Sequence, residues 1–188
     1  MSLFTSNRER NLWLVVITTM IVIFSTLFIG NPLLTLFEDQ NVQALFFVCG
    51  MFLVAISIGL HAILTRPTKI EVALIIGIAA IYLMLILRLG LPERSHMIEY
   101  SVLAIAIHKA LIERQKHFPN ISPASMAILL ASLIGVIDEC IQLFIPNRVF
   151  DYYDIAFNGM VVLTAIFFHL LMGWLRKKIG KSTKDHNQ

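Results

Sequence analysis

Apolar residues in this chain run in six long stretches, separated by polar or helix-breaking residues. The stretches cover residues 12–30, 42–64, 69–89, 93–111, 124–145 and 152–175. Each approaches the roughly 20 residues that an α-helix needs to cross a hydrocarbon layer. Asn31-Pro32, Thr65-Arg66-Pro67, Gly90-Leu91-Pro92 and Pro146-Asn147 punctuate the pattern, and Pro123 opens the fifth stretch. Proline has no N–H to continue a helical ladder but is tolerated at a helix start. The pattern predicts an all-α, polytopic membrane protein, a bundle of about six transmembrane helices over residues 12–175. A polar segment, 1–11, precedes it, and a basic tail, 176–188, follows and is expected to be disordered. The first stretch is too long for a signal-peptide core and lacks a small-residue cleavage site, so it is expected to be a retained span.

Composition agrees with this reading. The chain has 188 residues, 57% hydrophobic and 14% charged, and its mean hydropathy is +0.78. Soluble domains hold about 45–50% apolar and about 25% charged residues, so a soluble module is excluded. The net charge of +3 calls for no nucleic-acid partner, because the cations fall where membrane topology places them. With six spans, Arg8, Arg10, Arg66, Lys69, Lys109, Arg114, Lys116, Arg176, Lys177, Lys178, Lys181 and Lys184 collect on one side. Only Arg88, Arg94 and Arg148 fall on the other. The positive-inside rule then makes both termini cytoplasmic.

Against this apolar background one stretch stands out, GVIDECIQLFIPNRVFDYYDIAFNG, from Gly135 to Gly159. It joins the fifth and sixth stretches and carries Asp138, Glu139, Gln142, Arg148, Asp151, Asp154 and Asn158. Ionisable groups at the edge of a hydrocarbon layer are expensive and point to function. Their spacing is helical: Asp138 and Gln142 are four apart, and Asp151, Asp154 and Asn158 follow a three-then-four rhythm. The six-span topology brings the start of the fourth stretch, ERSHMIEY, to the same extracytoplasmic side. There His96, Glu99 and Tyr100 share a helix face.

Six carboxylates, on Glu93, Glu99, Asp138, Glu139, Asp151 and Asp154, thus oppose Arg94, Arg148 and His96. Burial and mutual repulsion prevent all of them from ionising cheaply, so shared protons, a cation or a ligand amine must make up the balance. Candidate acid–base groups are His96, Glu99, Asp138, Glu139 and Asp154. Tyr100, Gln142, Arg148, Asp151 and Asn158 are candidate binding groups, with Arg148 organising the carboxylates. One histidine among oxygen donors is not a distinctive metal signature, so shared protons or an organic ligand is the favoured expectation. A purely structural network pinning three helix ends would use the same residues.

Other polar residues carry weaker signals. His61, His108 and His169 fall near cytoplasmic helix ends, where a facing pair could ligate a haem, without further haem signature. Cys49 and Cys140 belong to no CxxC motif and are expected to be small buried hydrophobes. Gly77, Gly135 and Gly159 are expected to let helices approach closely.

Together, His96 and Tyr100, the Asp138-Glu139-x-x-Gln142 motif and Arg148-x-x-Asp151-x-x-Asp154-x-x-x-Asn158 resemble the VanZ-like family of membrane proteins. The resemblance covers about residues 93–160. Glu93-Arg94 stands where family members often have Asp-Lys, and Val161 where they tend to carry glycine. The resemblance implies a multi-pass protein of the bacterial plasma membrane, connected with the cell envelope and with glycopeptide (teicoplanin) resistance. It brings no defined reaction with it. The expected ligand is an envelope component such as a lipid-linked or peptidoglycan-related group. The alternatives are a structural or accessory membrane protein, or a proton- or cation-coupled transporter, although no inverted repeat is evident.

Overall fold

The computed structural model describes residues 4–36, 42, 45, 49, 68–89, 91–120, 122–146 and 150–185. Among these residues there are five helices and no strands. They are α1 (Asn7–Leu36), α2 (Lys69–Arg88), α3 (Leu91–Gln115), α4 (Pro123–Gln142) and α5 (Tyr152–Asp185). Within α1, α2, α4 and α5 lie stretches long and apolar enough to cross a membrane: Asn7–Phe28, Lys69–Arg88, Pro123–Gln142 and Tyr152–Lys178. Apart from helical Val42, Leu45 and Cys49, the expected span at 42–64 lies outside the described residues.

Local chemistry sets the helix ends. Thr68 and Glu71 form a capping box: Glu71 Oε2 accepts from the Thr68 N–H at 2.8 Å, and Thr68 Oγ1 accepts from the Glu71 N–H at 3.4 Å. Two of the orphan donors at the start of α2 are thereby satisfied. Pro123 opens α4, where its missing N–H does no harm. That helix ends at Gln142, not at the expected 145, because Pro146 disfavours helical backbone at Ile145. A tight turn follows, with Phe144 N donating to Ile141 O and Ile145 N to Gln142 O.

Two helices run further than the sequence pattern indicates. Asn31-Pro32 does not end α1, which continues to Leu36. A proline removes one ladder bond, and membrane helices tolerate that loss. In the basic tail, residues 176–185 are helical and prolong α5 to Asp185, since its lysines are good helix formers.

The chain divides into two compact units, residues 1–28 with 90–170, and residues 29–89 with 171–188. In the first, α3 packs along α4. The buried face of α4 presents Ala127, Ala131 and Gly135, then Asp138, Glu139 and Gln142. Small residues at four-residue intervals allow close approach. A Cβ on Gly135 would lie 3.3 Å from both Asn158 Cβ and Tyr100 Cε1. By contrast, a Cβ on Gly77 or Gly159 would meet nothing within 4 Å among the described residues. Tyr100, Leu103, Ala104, Ile107 and Ala110 of α3, with Val162 and Ile166 of α5, complete the core. Leu129, Phe167 and other large apolar side chains face outward, as in a protein solvated by lipid. Cys49 and Cys140 are free and exposed, so they line the outer face instead of the core.

The far end of α3 in this unit is braced by ion pairs. Fully buried Glu9 accepts from Thr5 N at 2.7 Å, Thr5 Oγ1 at 2.6 Å, Trp13 Nε1 at 3.3 Å and Arg114 Nη1 at 3.3 Å. Glu113 accepts from Lys116 Nζ at 2.7 Å, with Arg8 at 3.7 Å. The Lys116 hydrogen bond and charge, helped by Arg8, hold the Glu113 carboxyl below its ordinary range. In the second unit, Arg176 Nε donates to Glu71 Oε1 at 2.9 Å.

The glycine geometry separates two substitutions. Gly135→Val should destabilise the protein by about 1–3 kcal/mol through overpacking. Gly159→Ala should stabilise it by roughly 0.5–1 kcal/mol through helix propensity alone. Thermal unfolding in detergent checks both; equal effects would contradict the packing described for Gly135.

Candidate functional site

The buried polar end of α4 faces residues from α3 and α5 within the first unit. Asp138 and Glu139 are both 0% exposed, so neither carboxylate reaches solvent. His96 on α3 turns its imidazole to Asp138, with Nδ1 3.9 Å from Oδ2. One turn along α3, Tyr100 stacks on that ring at a centroid separation of 5.9 Å and an interplanar angle of 26°. Its phenol is fully buried and lies near enough to Asp138 to interact with it. Glu99, half-buried on the same helix, lies near enough to Asp138 for their charges to interact.

Neutral donors hold Glu139. The Gln142 side-chain amide donates to Oε1 at 2.7 Å, and the Asp151 backbone N–H donates to Oε2 at 3.3 Å. The i, i+3 spacing of Glu139 and Gln142 puts both on one face of the last turn of α4. Asp151 immediately precedes α5, and its Oδ1 accepts from Tyr153 N at 2.8 Å. This is N-capping geometry, which satisfies a donor that the helix start leaves open. Asp151 therefore orders the entry to α5 while its own N–H serves Glu139.

Asp154, in the first turn of α5, completes the arrangement. One ligand-type atom each from His96, Glu139 and Asp154 lie within 4.8 Å of one another. Asn158, four residues beyond Asp154 on the same helix face, is 1% exposed and packs against Gly135 and Tyr100. Neither Oδ1 nor Nδ2 of its amide has a hydrogen-bond partner among the described residues. Buried amides are nearly always satisfied, so this one stands out among the polar groups of the cluster.

The structure thus gathers His96, Glu99, Tyr100, Asp138, Glu139, Gln142, Asp151, Asp154 and Asn158. Arg148 lies outside the described residues, as do the side chains of Glu93 and Arg94. Among the described residues, the ion pairs made by lysine and arginine involve Glu9, Glu71 and Glu113. His61 is likewise outside the described residues. His108 and His169 do face each other, edge to face at 5.1 Å. Rings in direct contact are a packing arrangement with no macrocycle between them.

Fold and site together define a class: a helical protein with several membrane-crossing segments and a buried carboxylate–imidazole–phenol cluster at one end of α3, α4 and α5. Comparison with family models, curated proteins and solved structures finds no match to the chain. The chemistry of the cluster is therefore the basis for a functional reading.

The Gln142 amide provides a test of the cluster's internal bonding. Gln142→Leu keeps the volume but leaves Glu139 Oε1 without its buried donor, so stability should fall by about 1–3 kcal/mol. Chemical unfolding in detergent measures this, and an unchanged midpoint would mean that Glu139 has another donor.

Proposed function

We propose that this protein spans the bacterial plasma membrane six times, with both termini cytoplasmic, and uses the cluster as a VanZ-like envelope site. In this reading the buried acidic pocket at the extracytoplasmic end of α3, α4 and α5 binds or modifies a lipid-linked or peptidoglycan-related group. Glycopeptide (teicoplanin) resistance is the phenotype that follows. The observation that carries it is the burial of Asp138 and Glu139 at 0% exposure beside His96. A scaffold has little use for two adjacent carboxylates taken out of water, whereas acid–base chemistry needs such groups close to an imidazole. His96, Glu99, Asp138, Glu139 and Asp154 supply proton transfer. Tyr100, Gln142, Asp151 and Asn158, with Arg148, position the ligand.

A second reading, in which the cluster only pins helix ends, has one observation in its favour. Gln142, Asp151 and Glu139 bond to one another, and Asp151 caps a helix.

Asp138→Asn and Asp154→Asn distinguish the two. An amide preserves shape but removes charge and proton transfer. If the cluster is a site, both variants should fold as the parent does in detergent while resistance is lost. If it is a scaffold, breaking a buried charged contact should lower stability by roughly 3–5 kcal/mol, with activity falling in proportion. The membrane arrangement is tested separately with single cysteines. A probe at Asn147 should react with an impermeant thiol reagent outside intact cells, while one at Lys181 stays protected. Labelling of Lys181 from outside would overturn the six-span arrangement.

A further inference from the structure

We propose that His96, Glu139 and Asp154 form a binding site for one divalent transition-metal cation. The inference rests on reading this cluster as a site, and it names the occupant. Sequence alone favoured shared protons or an organic ligand, because a single histidine among carboxylates is a weak signature. Geometry changes that balance.

The three residues come from α3, α4 and α5, so helix packing and not a flexible loop brings their donors together. One donor atom from each lies within 4.8 Å of the others. Metal–ligand distances near 2.0–2.2 Å put tetrahedrally arranged donors about 3.3–3.6 Å apart. Side-chain rotations that draw the three donors inward close the site. Around these donors stands the outer layer that metal sites need to orient their ligands. The Gln142 amide holds Glu139 Oε1 at 2.7 Å, and the Asp151 N–H reaches Oε2 at 3.3 Å. Asp138, whose Oδ2 lies 3.9 Å from His96 Nδ1, can accept from the ring N–H that a cation leaves free.

Asn158 provides an independent observation. Its amide is 1% exposed, lies on the Asp154 face of α5, and has no partner for Oδ1 or Nδ2 among the described residues. The water of a hydrated cation is the kind of partner such an amide takes, since it both donates and accepts. One imidazole with two carboxylates suits Zn²⁺ or Mn²⁺ better than Mg²⁺ or Ca²⁺, which favour all-oxygen surroundings. Three protein ligands also leave positions for water or for an oxygen atom of a substrate.

The test uses full-length protein in detergent, stripped with chelator and titrated with Zn²⁺, Mn²⁺ and, as a control, Mg²⁺. About one equivalent of Zn²⁺ or Mn²⁺ should bind and raise the unfolding temperature, with Mg²⁺ far weaker. His96→Ala and Asp154→Asn should abolish that binding and the thermal shift. Asp138→Asn, which leaves the ligands intact, should weaken binding by about 10–100-fold. Should His96→Ala fail to fold, the near-isosteric Asp154→Asn still decides the question. Absence of stoichiometric metal, or undiminished binding by Asp154→Asn, would overturn the proposal. If no metal binds but Asp138→Asn still abolishes resistance, only the cation site falls and the envelope function stands. If metal binding and its loss in Asp154→Asn are seen while resistance is unaffected, the cation site stands without that function.

Discussion

A carboxylate removed from water among apolar helices must be answered by donors or charge, and in this protein two adjacent ones are removed together. Asp138 and Glu139 follow one another in sequence, so a single helix cannot point both at the same partner. The surrounding helices therefore supply two different answers. His96 and Tyr100 lie against Asp138, while Gln142 and the Asp151 N–H turn to Glu139. Much of the first unit follows from that division. Tyr100 must reach past α4, so α4 carries a glycine at position 135, where a Cβ would press on both Tyr100 and Asn158. The start of α5 must deliver a backbone N–H, so the chain turns tightly after Gln142 and is capped by Asp151.

Much of this was legible in the sequence. Alternating apolar runs and breakers marked helices at 69–89, 124–145 and 152–175, close to the observed Lys69–Arg88, Pro123–Gln142 and Tyr152–Asp185. The helical spacing of Asp138 with Gln142, and of Asp154 with Asn158, placed each pair on one face; Asp138, Gln142 and Asn158 are buried and Asp154 half-buried. Other features were not legible, for physical reasons. Whether Pro32 ends α1 depends on how the surroundings treat one lost hydrogen bond, which composition does not record. Asp151 fell into helical rhythm with Asp154 yet precedes the helix, because an aspartate in the first position serves equally well as a cap. The bracing of Glu9 by Arg114 joins residues 105 apart in the chain, and no local pattern signals such a contact.

Along α3 the two kinds of electrostatics are segregated. His96 stands at one end and Arg114 at the other, which at about 1.5 Å per residue separates them by roughly 27 Å. This approaches the thickness of a hydrocarbon layer, about 30 Å. At the Arg114 end, carboxylates meet guanidinium and ammonium groups in ordinary ion pairs. At the His96 end they meet imidazole, phenol, amide and backbone N–H. Between them the buried face of α3 carries Leu103, Ala104, Ile107, His108, Ala110 and Leu111, with no lysine, arginine or carboxylate among them. That polar contrast explains why α3 is less apolar than the four segments long and apolar enough to cross a membrane while contributing so much of the core: its polar residues face neighbouring helices.

The carboxylates Glu9 and Glu71 share an arrangement whose consequence lies in time. Each sits in the first turn of its helix, each accepts from a threonine a few residues upstream, and each pairs with an arginine 105 residues later. A ribosome adding about 5–20 residues per second makes that second partner roughly 5–20 s after the first. During this interval Thr5 and Thr68 can hold the carboxylates in helix-starting geometry without help from the rest of the chain. Each helix thus enters assembly with its first turn already formed, and the arginine arrives as a late clasp that registers a distant segment against it. Order of synthesis is in this way written into the bonding of two side chains.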